Sequence, residues 1–381
     1  MKKALIVASV ASMIEQFNMN NISILQELGY QVDVATNFLN PGTISKEVVN
    51  SLKDKLKSID VTCIQVDFPR GLGTLKKNIK CYKIIKKLAE NKYALVHCHS
   101  PIGGVLTRMA FKKSKTKVIY TAHGFHFYKG GPIKSWLIFY PIERFFARYT
   151  DVLITINNED TEIAKRFKAK NVVKIPGVGI KNEKYKVNYS ENEKKILKDK
   201  LNIKNDAFIM ISIGELSERK NHIVGIKSLV ELDTNAYYII CGSGKLKDYL
   251  MNEAKLLGVE DKVIFTGYVK DSEKYLAIAD ISLFLSKREG LGLAGLEAMA
   301  AGVPLISSYL GGIKDYTENS RTGFTIDDPT NNELVVKSLE NWIKLNSEDK
   351  MKIEMNCQMI AAQYDESIVN GIMKNIYSKF I

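Results

Sequence analysis

Residues 286–304 read Ser-Lys-Arg-Glu-Gly-Leu-Gly-Leu-Ala-Gly-Leu-Glu-Ala-Met-Ala-Ala-Gly-Val-Pro. An apolar run at 281–285 precedes the stretch, and a second apolar run covers 304–307. Between them lie a loop carrying Gly290 and Gly292 and then, from Leu293, a helical pattern. Strand, glycine loop, helix and strand in this order make a βαβ unit, which implies a parallel sheet. Loop glycines let backbone come close to a ligand. The helix start presents unpaired N–H groups and a partial positive charge, so the junction suits a phosphate. Glu289 stands just before the helix and Glu297 about one turn inside it, so both carboxylates can face one ligand. The plain alternative is an ordinary strand-to-helix turn with a solvated glutamate.

The same rhythm extends in both directions. In the second half, strands are expected at 208–213, 237–241, 263–266, 281–285 and 304–307, with helices at 221–232, 245–257, 272–279 and 293–301. The first half offers strands at 3–10, 31–36, 60–66, 95–99, 118–121, 152–156 and 172–175. Residues 175–187 hold Pro176, Gly177, Gly179 and a charge run without helical period, which reads as a linker. The expectation is an α/β protein of two doubly wound, Rossmann-like domains facing a central cleft. They divide as 1–180 and 181–359, with the helical tail at 360–381 packing back on the first. Ligands of such sheets sit beyond the carboxyl ends of the strands.

The chain's 381 residues suit two domains, and 45% hydrophobic with 25% charged residues is an ordinary globular composition. The five cysteines form no C-x-x-C pair, which argues against a zinc site or disulfide framework and for buried thiols in a reducing cytoplasm. Lys2 and Lys3 before the apolar run 4–11 imitate a signal peptide. Continuation into a helical stretch at 14–28, Gly29 and a strand at 32–35 favours a buried first strand instead. No window reaches the ~20 apolar residues of a membrane span, so a soluble protein is expected.

Net charge is +13 and unevenly spread: residues 1–185 hold 30 Lys and Arg against 14 Asp and Glu, and the remainder 25 against 28. The first half alone should meet an anionic partner, nucleic acid or anionic lipid. Lys76, Lys77, Lys80, Lys83, Lys86 and Lys87 alternate at helical spacing with Ile79, Tyr82, Ile85 and Leu88. That is a basic amphipathic helix able to lie on an anionic membrane; the plain alternative is a solvated face over a core-facing stripe. A nucleic-acid-binding protein would carry arginine and aromatic signatures that are missing here, so nucleic acid is not expected as partner.

Four further segments bear on chemistry. In Ser212-Ile-Gly-Glu-Leu-Ser-Glu-Arg-Lys-Asn-His a strand closes at Gly214, and Arg219 with Lys220 opens the next helix. Two cations at a sheet's carboxyl edge can neutralise a pyrophosphate. His123 follows the strand at 118–121, with His126 nearby. The first loop, with Ser9, Ala11 and Ser12, lacks the G-x-G-x-x-G of nicotinamide enzymes, and Cys241-Gly-Ser-Gly-Lys is no P-loop. No D-x-D pair occurs, so cationic side chains and a helix dipole are expected in place of a metal.

Glu289 and Glu297 have the E-x7-E spacing of the large retaining glycosyltransferase family 4, which has the GT-B fold. Ala298-Met-Ala-Ala-Gly-Val-Pro, Gly311-Gly312 and Thr322-Gly323 match the family's continuation, and the resemblance spans nearly the whole chain. Tyr120-Thr-Ala-His-Gly-Phe-His-Phe-Tyr-Lys-Gly-Gly-Pro, Trp136 and Ile154-Thr-Ile-Asn-Asn-Glu-Asp look most like the bacterial capsule and exopolysaccharide enzymes. The resemblance implies that Glu297 binds the donor ribose, while Glu289, Gly290, Leu291, Gly292 and Leu293 hold the donor sugar. It places Arg219, Lys220 and Gly214 at the donor phosphates and His123 beside the donor sugar. Val269, after Thr266-Gly-Tyr, comes near the nucleobase, and Ser9, Ala11 and Ser12 form the acceptor-side loop. The chain departs from the family at Glu215, where many members have Arg; Arg219 then supplies the charge.

The implied reaction is transfer of a hexosyl or N-acetylhexosaminyl group from a nucleoside diphosphate, UDP by family habit, with retention and without metal or cofactor. The implied acceptor is a polyprenyl-diphosphate-linked saccharide. The implied place is the cytoplasm, at the inner face of the cell membrane, with Lys76, Lys77, Lys80 and Lys83 touching lipid. A nucleotide-sugar 2-epimerase of the same architecture is the nearest alternative; a nicotinamide dehydrogenase and a nucleic-acid-binding protein stand further off.

Overall fold

The computed structural model describes residues 2–380. The first sheet is built from β1 (Lys2–Val7), β2 (Tyr30–Thr36), β3 (Thr62–Gln65), β4 (Leu95–His99), β5 (Lys117–Ala122), β6 (Val152–Thr155) and β7 (Asn171–Lys174). Their order is β3-β2-β1-β4-β5-β6-β7, and every pairing is parallel. The central strands β4 and β6 are buried along their whole length, as strands covered by helices on both faces must be.

The second sheet comprises β8 (Phe208–Ile213), β9 (Ala236–Cys241), β10 (Val263–Gly267), β11 (Ile281–Phe284), β12 (Leu305–Ser308) and β13 (Gly323–Ile326). It runs β10-β9-β8-β11-β12-β13, again all parallel. Strand order reverses between β1 and β4 in one sheet and between β8 and β11 in the other. These are the switch points where the loops diverge and leave a crevice at the carboxyl edge. The chain thus forms two doubly wound, Rossmann-like α/β units. One runs up to Val178 and resumes at Glu366, and the other spans Gly179–Asp365.

Several local expectations are corrected. The helical stretch at 14–28 is two helices, Ala11–Phe17 and Met19–Glu27, broken at Asn18, whose side-chain amide donates to the Met13 carbonyl at 2.9 Å. An interior Asn competes with the backbone for such bonds, which ends a helix. The helical tail expected at 360–381 is not continuous either: its start is the end of the helix Ser347–Ala362, and a separate helix, Glu366–Ser378, follows. Strand β13 was not expected at all; it is four residues long, too short for periodicity to show. The stretch 175–187 is not plain linker, because Asn182–Tyr185 forms a turn of helix. Tertiary bonds fix it: the Asn182 amide donates to the Ala361 carbonyl at 3.3 Å and to Asp365 at 2.9 Å.

The first unit's core gathers Leu5, Val96, Phe111, Tyr120, Phe127 and Leu153. Inside it Arg108, with no exposed surface, meets Glu143 at 2.8 Å and lies over the Tyr120 ring at 4.0 Å. Tyr120 donates its hydroxyl to the other Glu143 oxygen at 3.1 Å. Two buried charges persist there because each is paired and hydrogen-bonded.

Candidate active site

The loops leaving β8 and β11, at the switch point of the second sheet, carry most of the polar residues singled out above. Residues 214–221 do not continue into a helix as expected: Asn221 takes a left-handed conformation (φ 60°), and the helix begins at His222. The Asn221 amide donates to the Pro329 carbonyl at 2.7 Å and holds this bend. Arg219 and Lys220 therefore stand on the loop rather than opening the helix. From there both reach Glu289, each with a nitrogen 2.7 Å from the same oxygen, Oε1. The loops are also laced by backbone, with Lys287 N–H donating to the Arg219 carbonyl at 2.8 Å.

Glu289 is thus a carboxylate between two cations. Burial pushes its carboxyl up, but the Lys220 and Arg219 charges outweigh burial and hold it below the usual range. Gly292 follows in the left-handed region (φ +89°), where a Cβ would lie 2.6 Å from the Phe284 ring. Only glycine both turns the chain there and lets the helix Leu293–Ala300 pack on β11. At Gly312 a Cβ would fall 2.0 Å from the Gly290 carbonyl, so that glycine permits the next loop to close on the first. Gly290, Leu291, Gly292 and Leu293 accordingly form one tight strand-to-helix turn whose helix N-terminus opens next to Glu289.

Glu297 lies one turn into that helix. Burial raises its carboxyl above the ordinary range, and a hydrogen bond from Tyr185 with the charges of Lys184 and Lys220 offsets part of the rise. Lys220 therefore acts on both glutamates. Tyr185 and Lys184 belong to the short helix 182–185, and nothing in the linear pattern marked them. Lys184 also holds Glu273 at 3.1 Å and donates to the Lys270 carbonyl at 2.8 Å, which ties it to the loop containing Val269. Val269 is half-buried and Tyr268 beside it is 75% exposed. Gly214 lies under Lys220, whose Cε would be 3.0 Å from a Cβ at that position. The Glu215 side chain points to solvent, while its carbonyl pairs with His222 at 3.2 Å.

The first unit has its own constellation at the β1–β4 switch point. Ser9 Oγ accepts from the Gly103 N–H at 3.1 Å, joining the loop after β1 to the first turn of the helix Pro101–Phe111 that follows β4. Ser9, Ala11 and Ser12 are all buried, and Ala11 and Ser12 lie in the first turn of the helix Ala11–Phe17 rather than on the expected acceptor-side loop. His123, just past β5, is partly accessible and contacts His99 at 3.0 Å through Nε2. His126 instead packs by the Phe139 ring, 4.8 Å between centroids. Lys76, Lys77, Lys80 and Lys83 stand on the helix Leu75–Leu88, where Cys81 and Ile85 face the core. Lys80 pairs with Asp67 at 3.4 Å in an exposed contact. The described residues contain no group of three or more His, Cys, Asp or Glu arranged to hold a metal ion.

Comparison with known proteins identifies the family. Residues 193–359 match the family described as glycosyl transferases group 1, and residues 5–157 match the family described as glycosyl transferase 4-like. The chain is 34% identical over 334 residues to EpsD of Bacillus subtilis (strain 168), a glycosyltransferase by name, covering 85% of this chain and 83% of that one. The chain is a glycosyltransferase of this family.

A second relative of this glycosyltransferase is the Escherichia coli UDP-Gal:alpha-D-GlcNAc-diphosphoundecaprenol alpha-1,3-galactosyltransferase, 30% identical over 66% of each chain. Among solved structures, Anabaena Alr3699/HepE in complex with UDP and glucose superposes with a TM-score of 0.79 over the full length of both chains at 18% identity. The sucrose-phosphate synthase of Thermosynechococcus elongatus reaches 0.78 over 99% of both at 16% identity. At those identities the likeness establishes the fold, GT-B. The transferase's second unit has a paired cation set, a helix N-terminus and two carboxylates at one sheet edge, a combination suited to an anionic group joined to a polyol.

Proposed function

We propose that this glycosyltransferase moves a hexosyl or N-acetylhexosaminyl group from a nucleoside diphosphate, with UDP as carrier, onto a polyprenyl-diphosphate-linked saccharide during capsule or exopolysaccharide synthesis, retaining the anomeric configuration. The observation that carries the donor side is the position of Lys220, acting on both Glu289 and Glu297 at the β8–β11 switch point. A diphosphate entering there exchanges with Glu289 for Lys220 and Arg219, and the start of the helix Leu293–Ala300 adds its partial charge. These groups stabilise the negative charge left on the departing diphosphate, the work a metal does elsewhere, so the reaction proceeds without one. Glu297 accepts the ribose hydroxyls, Val269 borders the base, and Glu289 with Gly290 to Leu293 holds the sugar. His123 donates to the sugar. The departing phosphate takes the acceptor's proton on the face it leaves, which gives retention.

The relative named for a diphosphoundecaprenol-linked acceptor supports a lipid-linked acceptor here. The first unit's surface supports a site on an anionic membrane, at the inner face. The helices Leu75–Leu88, Pro101–Phe111 and Ile133–Ala147 pack side by side. Leu75 (77%), next to Lys76 and Lys77 on the first of these helices, and Ile133 (76%) and Leu137 (71%) on the third are exposed. Exposed cations and exposed aliphatics on one packed group of helices suit anionic lipid. Among the described residues no helix is long and apolar enough to cross a membrane.

A thermal-shift titration tests the donor site. UDP raises the midpoint of the wild type, with or without EDTA, and fails to do so for Glu297→Ala. Stabilisation by NAD or a nucleic-acid duplex alone overturns the reading. Sedimentation with phosphatidylglycerol vesicles tests the surface: binding falls with salt and is lost in Ile133→Asp/Leu137→Asp, whereas equal binding to neutral vesicles counts against it.

A further inference from the structure

Strand β4 ends in two histidines, His97 and His99, which face the same side of the sheet two residues apart, each only 1% exposed. Their rings lie 4.1 Å apart between centroids. His97 is saturated by hydroxyls: Nδ1 is 2.7 Å from the Tyr377 oxygen and Nε2 is 2.7 Å from Thr121 Oγ1. His99 is not. Its Nδ1 is 3.0 Å from His123 Nε2, while its own Nε2 is buried without a partner. Burial, followed by the neighbouring rings of His97 and His123, pushes His99 well below the usual histidine range, and burial lowers His123 to about 4. Both rings are therefore neutral at physiological pH, with one proton each.

That proton count decides the direction of the bond. If His99 carried its proton on Nε2, a buried N–H would have no acceptor, and orphaned buried donors are rarer and more costly than a bare lone pair. The proton thus sits on Nδ1 and is donated to His123 Nε2. An Nε2 that accepts leaves the neutral His123 ring protonated on Nδ1.

We propose that His99 is a positioning residue for sugar transfer, donating Nδ1–H to His123 Nε2 and so holding His123 as the Nδ1–H tautomer, a donor to a hydroxyl of the donor sugar. This rests on the reading of His123 as a sugar contact. A wrong tautomer would present a lone pair to the same hydroxyl, and the contact would depend on the hydroxyl's own proton.

Two-bond proton–nitrogen correlation spectra of protein labelled on its five histidines read the tautomer directly. The His123 signals are assigned by their loss in His123→Gln. Wild type shows His123 with a protonated Nδ1 and a bare Nε2. His99→Phe abolishes that pattern, and His99→Asn, whose amide replaces the Nδ1–H, restores it. Binding is measured with UDP and with whichever of UDP-glucose, UDP-galactose or UDP-N-acetylglucosamine stabilises the wild type most. His99→Phe weakens the UDP-sugar about fivefold to tenfold, the value of one hydrogen bond, with UDP unchanged. A wild-type His123 protonated on Nε2 overturns the proposal even if no variant folds. So does a His123 signature that ignores His99→Phe. If His123→Gln keeps the wild-type ratio of UDP-sugar to UDP affinity, the sugar contact itself is wrong, and the proposal falls with it whatever the tautomer.

Discussion

Lys220 Nζ lies 2.7 Å from Glu289 Oε1, joining the loop after β8 to the loop after β11 across the switch point of the second sheet. Arg219 takes the same oxygen. Both partners of the Lys220 pair are close to nine-tenths shielded, so the contact is not screened as a surface pair would be. The two cations thus share one carboxylate, which leaves a net positive charge, and an incoming diphosphate competes with Glu289 for them.

Removing that competitor should separate binding from turnover. Glu289→Gln is expected to bind UDP more tightly than wild type and to turn over UDP-sugar more slowly. Lys220→Met should bind UDP about tenfold to a hundredfold more weakly, since a charge-assisted hydrogen bond is worth about 1.5–3 kcal/mol. Calorimetric titration with UDP checks both; equal affinity in Glu289→Gln and wild type would show that the pair does not oppose binding.

The two glutamates should affect stability with opposite sign. Glu297 has a raised carboxyl, so its contribution is present below the ordinary range near 4.5 and is lost as pH rises through its higher folded value. Glu297→Gln should therefore melt above wild type at pH 8 and lose that advantage toward pH 4.5. Glu289 has a lowered carboxyl, so its contribution is present above the ordinary range and lost as pH falls through its lower folded value. Glu289→Gln should melt below wild type at pH 8. Midpoints measured across this window decide; two variants shifting alike would contradict the burial and charge assignments.

In the first unit, Glu143 is the only carboxylate within reach of the fully buried Arg108 guanidinium among the described contacts. Glu143→Ala leaves that charge unpaired and should lower stability by about 3–5 kcal/mol. The double variant Arg108→Met/Glu143→Leu should recover much of it. Denaturant midpoints supply the comparison, and a loss below ~1 kcal/mol for Glu143→Ala would show that water reaches the pair.

Acid should unfold the first unit early. His97 and His123 titrate near 3 and 4 when folded, chiefly through burial, and His99 lies well below 6.5, the value of each in an unfolded chain. Below 6.5 the unfolded state binds protons that the folded state refuses, so stability falls as pH falls, by about 1.4 kcal/mol per pH unit for each such histidine. Trp136 fluorescence in a Trp342→Phe background follows this unit, and His97→Gln should flatten its pH dependence by one proton. An unchanged slope would place His97 in contact with water.

Much of this was open to reading in the linear chain. The run at 281–307 has its apolar strand, its glycines and its helix formers in order, and each step is a local preference: Gly292 turns left-handed where only glycine does so freely, and Leu293 onward favours helix. Spacing alone put Glu289 and Glu297 at one helix N-terminus. Boundaries were less legible where a side chain, not a period, ends the element, as at Asn18 and Asn221.

What spacing could not supply was partnership. Lys184 and Tyr185 carry no motif, yet the fold of 182–185 onto 361–365 brings Tyr185 to Glu297. His97, His99 and His123 look like scattered histidines until parallel pairing sets His99 opposite Thr121 and brings His123 to its ring. By itself the sequence determined most of the elements, the parallel class of both sheets and the residue types at their carboxyl edges, because local propensity, hydrophobic period and strand–helix alternation are read along the chain. The tertiary structure alone decided which charges neutralise one another, which carboxyl is raised and which lowered, and which ring nitrogen is left bare. Those depend on distances of a few ångströms between loops far apart in sequence, and on how much water the packing leaves beside them.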